Sequence, residues 1–186
     1  MTMHKKLFAL LCLTLGLYVL DACCGDKKPF FDYNKLTITS SLLLLTASQD
    51  TVVTLRVAPN DLEYLASEYR LTVSTPAYGT SCPQPGEDGT KYKMTSIDIT
   101  ADKDFNDTLP AGASLASIFY NGRATGTPQS VAQNISELEF PDPGWDFLVF
   151  TPNKPAQIDQ TFDLTVKITK SDGSVAVGKV NDVRFK

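Results

Sequence analysis

Cys23 closes the run Leu20-Asp21-Ala22-Cys23, a small residue followed by a thiol. Behind it lie Lys5, Lys6 and an apolar run from Leu7 to Leu20. That order is a bacterial lipoprotein export signal: the thiol accepts a diacylglyceryl group and the peptide is cut just before it. Fourteen residues make about 21 Å of helix against a hydrocarbon core of about 30 Å, short for a span and suited to a signal. Residues 1–22 are therefore read as signal peptide, with palmitate-type acylation of Cys23 and attachment to the outer membrane.

The same cut narrows the chemistry. His4, the only histidine, leaves with the signal, so the mature chain has no Ser-His-Asp, Cys-His or histidine-ligated zinc chemistry. Cys12 leaves too, and with Cys23 acylated, one disulfide between Cys24 and Cys82 is the maximum. The 17 basic and 21 acidic residues become 15 and 20 once Lys5, Lys6 and Asp21 are removed, a net charge of −5. Without a basic run longer than two, nucleic acid has no electrostatic footprint here.

Three oxygen-rich or aromatic groupings remain. Asp102, Asp104 and Asn106 alternate as at the opening of a calcium loop. The pattern then breaks, with Asp107 in the glycine position and Ala113 in place of the bidentate glutamate, so a polar loop is favoured over a Ca2+ site. Glu137, Glu139, Asp142 and Asp146 surround Phe140 and Trp145, a set that a glycosidase would need at fixed separation. A charged rim is the more economical reading. Tyr92, Tyr120 and Trp145 are the aromatics that could stack on a sugar, although Trp145 heads the most apolar segment, where burial is expected.

The elements that would position these residues are strands. Leu36/Ile38, Val53/Leu55/Val57, Tyr69/Leu71/Val73, Ile97/Ile99 and Phe162/Leu164/Val166/Ile168 each alternate with polar neighbours. Ser171-Asp-Gly-Ser174 predicts a hairpin into a return strand with Val175, Val177, Val183 and Phe185, and the out-of-phase Val180 points to a bulge at Gly178. Trp145–Phe150 is apolar on both faces, as in a central strand. Asn60/Glu63 and Ser130/Gln133 have capping-box spacing and predict two short helices, the first carrying Leu62, Leu65 and Tyr69, the second Val131, Ile135 and Leu138. The expected fold is all-β: an antiparallel, immunoglobulin-like β-sandwich of about eight strands with one or two short helices. Residues 23–34 are expected as a lipidated tether and 35–186 as one sandwich domain.

Several segments have a shared likeness: the Cys23-Cys24-Gly-Asp start, Phe31-Asp-Tyr-Asn, Ser96-Ile-Asp-Ile-Thr with Asp104-Phe-Asn, Pro110-Ala-Gly-Ala-Ser-Leu115, and the Ser171-Asp-Gly hairpin. Together they resemble a family of Bacteroidetes lipoproteins with an unassigned domain over nearly the whole mature chain. The resemblance implies an outer-membrane lipoprotein with no established activity. Gly25-Asp-Lys-Lys28 lacks an acidic cluster, leaving both the periplasmic and the cell-surface faces open. Asp50-Thr51-Val52 and Asp107-Thr108-Leu109 resemble the O-glycosylation signal of that group, with Thr51 and Thr108 as acceptors at polar turns. The expected role is a non-enzymatic module for a partner protein or envelope glycan. The alternatives are a carbohydrate-binding accessory of a glycan-uptake system and a small carboxylate-dependent hydrolase.

Overall fold

The computed structural model describes residues 28–44, 51–66, 84–121, 129–133, 135–150 and 160–185. The Tyr69–Val73 segment and Cys23, Cys24 and Cys82 lie outside them. Within them are seven strands: β1 (Phe30–Leu44), β2 (Thr51–Leu65), β3 (Met94–Ala101), β4 (Tyr120–Asn121), β5 (Phe147–Phe150), β6 (Thr161–Lys170) and β7 (Val175–Arg184). They hydrogen-bond in the order β3-β6-β7-β1-β2-β5-β4. The fold is all-β. The ladders are antiparallel except β1 with β7, which run parallel and pair at Lys35 and Val177, so the sheet is mixed rather than purely antiparallel.

β1 starts at Phe30, inside the stretch expected as tether, because Phe31 and Tyr33 are core side chains. It pairs with β2 from Phe30↔Leu65 to Leu44↔Thr51. This ladder absorbs Asn60–Leu65, expected as the start of a helix. Asn60 spends its capping side chain within the ladder: Oδ1 accepts from Asp61 N at 2.7 Å and Nδ2 donates to Thr37 Oγ1 at 3.0 Å. Long-range pairing outweighs a local cap worth about 1 kcal/mol. Asp61 takes a left-handed φ of 56° there. The second box does form in part. Gln133 Oε1 accepts from Ser130 N and Oγ at 3.3 and 3.1 Å, and a 3-10 turn, Ile135–Leu138, follows.

β6 keeps the predicted alternation, with Phe162, Leu164, Val166 and Ile168 fully buried. The Asp-Gly hairpin forms as predicted. Gly173 has a φ of 85°, and the Ser174 hydroxyl on the Asp172 carboxylate holds that group below its usual range. On β7 the phase break falls at Asn181–Asp182 instead of Gly178. Asp182 takes φ 57° and its N–H reaches Asp163 Oδ1 at 3.1 Å. Ala176 and Gly178 therefore face inward, while Val175 and Val177 are exposed.

Gly178 has a different task. A Cβ there would lie 2.6 Å from Leu36 O and 2.8 Å from Leu36 Cβ, so only glycine lets β7 approach β1 this closely. The core beside the sheet is closed by segments 105–119, 131–133 and 135–140. Phe105 packs on Phe162 and Phe185 at centroid distances of 5.4 and 5.1 Å, and Phe140 joins Tyr33 and Phe147 at 5.2 Å each. Gly178→Val is expected to cost about 1–3 kcal/mol by overpacking, read as a melting temperature lowered by several degrees in thermal unfolding. Gly144→Val, at an exposed turn whose φ suits any residue and where a Cβ meets only Asp142 Oδ1 at 3.4 Å, keeps the β1–β7 contact and isolates that effect from simple loss of glycine.

Candidate functional site

The period-two phase of β6 carries one residue further than hydrophobicity would: Lys170 follows Ile168 on the buried face. Its side chain is only 1 % exposed. Nζ donates to Asp32 Oδ1 at 2.5 Å and to Tyr33 O at 2.9 Å, and sits 5.0 Å above the Tyr33 ring. Tyr92 lies 6.0 Å from the same ammonium. Asp32 is itself nearly buried, so the ion pair is desolvated and joins β1 to the end of β6. Burial first, then the carboxylates of Asp32 and Glu139, push the Tyr33 phenol far above the usual range for tyrosine. The sequence reading missed this cluster. Its one available signal was the parity of Lys170 with Phe162–Ile168.

The start of β1, which carries Asp32 and Tyr33, also borders an open cleft. The turn 84–91 is laced to the start of β1: Gly86 N donates to Lys28 O at 3.0 Å, Asp88 N to Pro29 O at 2.8 Å and Phe31 N to Gly89 O at 3.0 Å. A Cβ at Gly86 would lie 2.7 Å from Pro143 Cγ and 3.2 Å from Tyr64 Cε1, so Tyr64, this turn and the Pro141–Trp145 turn converge. Lys28, Leu62, Glu63, Tyr64, Gln84 and Pro85 line an open cleft of about 610 Å³. Tyr64 is 36 % and Trp145 39 % exposed. Trp145 was expected to be buried at the head of a strand. However, β5 starts only at Phe147, and Trp145 N closes a turn on Asp142 O at 3.1 Å, which leaves the indole outside the core.

The residues singled out from sequence are dispersed. Asp102 Oδ1 accepts from Asp163 N, Asp104 Oδ1 from Ala111 N, and Asn106 Oδ1 from Thr108 N, Thr108 Oγ1 and Leu109 N. The oxygens suggested for calcium thus serve separate backbone donors. Among the described residues no group of three His, Cys, Asp or Glu side chains is placed to hold a metal ion. Glu139 faces Lys93 at 3.9 Å, Asp146 pairs with Arg56 at 3.1 Å and Asp142 accepts from Gly144 N at 2.8 Å, while the Glu137 side chain lies outside the description. Tyr92 is half-buried beside Lys91 and Lys170, and Tyr120 is half-buried on β4. Thr108 is exposed in the turn 106–109, whereas Thr51 opens β2 opposite Leu44.

This end sets exposed aromatic and polar side chains near a buried ion pair. Asp32→Ala is expected to destabilise by about 3–5 kcal/mol in urea titrations, because it strands the Lys170 charge, whereas Asp32→Leu with Lys170→Met restores most of the loss. The neutral phenol is the form that the fold favours at Tyr33. Its contribution is intact below the unfolded value near 10 and drains away as pH rises from there toward the raised folded value. Wild type should therefore lose stability as pH rises above about 10, and Tyr33→Phe should lose less. No family model, curated protein or solved structure matches this chain.

Proposed function

We propose that this protein is a lipid-anchored module of the bacterial outer membrane that binds an envelope partner without chemical turnover. The observation that carries the reading is the Lys5-Lys6, Leu7–Leu20, Ala22-Cys23 succession, with β1 opening seven residues later at Phe30. The lack of any histidine after residue 4 and the commitment of Glu139 and Asp146 to cations favour binding over hydrolysis.

The fold belongs, on this reading, to the immunoglobulin-like sandwiches. Strands lettered A to G in chain order map onto β1 to β7, and β3-β6-β7 then corresponds to C-F-G while β1-β2-β5-β4 corresponds to A-B-E-D. A β1 long enough to pair antiparallel with β2 and parallel with β7 would link the two layers into one continuous ladder. Leu55 and Val166, fully buried on B and F, would stand in the region where antibody domains place their disulfide.

Exposure of Trp145 and Tyr64 at one end favours a second reading, a carbohydrate-binding accessory of glycan uptake, with Glu63 and Gln84 accepting from or donating to hydroxyls. Metabolic labelling with an alkyne fatty acid tests the anchor: the full chain should incorporate label and Cys23→Ser should not. Label on the Cys23→Ser chain would overturn it. A glycan array tests the second reading. A bound oligosaccharide should lose at least about fivefold in affinity with Trp145→Ala, on the scale of about 1–3 kcal/mol for a nucleobase stacked on an aromatic. Equal binding by wild type and variant would remove the aromatic end as a sugar site.

A further inference from the structure

We propose that the Tyr64–Trp145 end of the domain rests on the membrane that holds the lipid, with Trp145 seated at the headgroup boundary. The inference depends on acylation of Cys23. Five residue steps separate Cys23 from Lys28, which even fully extended reach about 18 Å. The domain therefore meets the bilayer close to Lys28. Lys28 is tied through its carbonyl to Gly86 N at 3.0 Å, Gly86 packs on Pro143 and Tyr64, and Trp145 lies in the turn that carries Pro143. The short leash thus ends at the same place as the two exposed aromatics.

Those side chains suit that setting. Tryptophan and tyrosine concentrate at the membrane–water boundary, where an apolar ring and a polar tip are both accommodated, and a lysine stem can lie beneath its charge. Pro85 and Pro143 add apolar surface without unsatisfied N–H donors of their own. A second weak contact also complements an acyl anchor by adding to its hold. The cleft's Glu63 and the net charge of −5 disfavour anionic lipid, so the surface commits to zwitterionic headgroups.

Trp145 is the only tryptophan in the chain, so its emission reports its own surroundings. The full, acylated chain is reconstituted into phosphatidylcholine vesicles with or without brominated acyl chains, and its intact mass is measured to establish the diacylglyceryl group. Brominated lipid should quench emission roughly twofold, as expected for an indole at the interfacial depth. In Trp145→Phe with Thr161→Trp, quenching should vanish. Thr161 stands nine residues along β6 from the Lys170 clamp, about 30 Å away. Unquenched emission from a chain whose mass includes the lipid overturns the seating and leaves the anchor standing. A mass without lipid overturns both. Quenching or a spectral shift caused by soluble xylo-oligosaccharide, with none caused by brominated lipid, assigns the end to a glycan and overturns the seating.

Discussion

The buried contact between Lys170 and Asp32 sets the terms for the rest of this fold. An ammonium taken out of water costs several kcal/mol unless its hydrogen bonds are replaced, and here a carboxylate, a backbone carbonyl and two aromatic faces replace them. Such a pair is indifferent or even inferior to apolar packing as a source of stability. Its effect is on register. A slip of β6 by one residue would turn Lys170 to the opposite face of the sheet and leave the nearly buried Asp32 without its partner. Because Asp32 and Lys170 are 138 residues apart, the contact ties the opening strand to the last hairpin.

β1 carries the second constraint. It hydrogen-bonds to β2 along almost its whole length and meets β7 in parallel where Gly178 removes the side chain that would collide with Leu36. The first and last strands thereby become neighbours, and the ladder runs without interruption from β3 to β4. The aromatic groups around Phe105 and Phe140 fill the space that this arrangement encloses.

Polar loop residues mostly do structural work. Asp102, Asp104, Asn106 and Asp142 each accept backbone N–H groups that their turns leave without a ladder partner. Lys28 and Tyr64 gather at one end with the turn that carries Trp145, held in shape by the hydrogen-bonded turn 84–91. Rigid support under exposed aromatics suits the contacts proposed for this end, whether with lipid or with sugar.

How much could be read in advance depended on the range of the interaction. The alternation of Phe162–Ile168 and the Asp-Gly turn were legible because side-chain parity and a glycine-dependent turn are local properties. The Asn60 capping pattern misled because a cap of about 1 kcal/mol competes with a ladder built by residues two dozen positions away. Trp145 misled because the apolar run that starts with it becomes a strand only at Phe147. Sequence by itself determined the all-β character, the lack of any histidine after residue 4 and the placement of Cys23 behind a basic start and an apolar run, since each is a matter of residue type and spacing. Tertiary structure alone decided that β1 lies between β2 and β7, that Lys170 is buried and that Tyr64 joins Trp145 at one end. Each of these is a meeting of distant segments, and no local preference encodes which distant partner a strand or a charge will find.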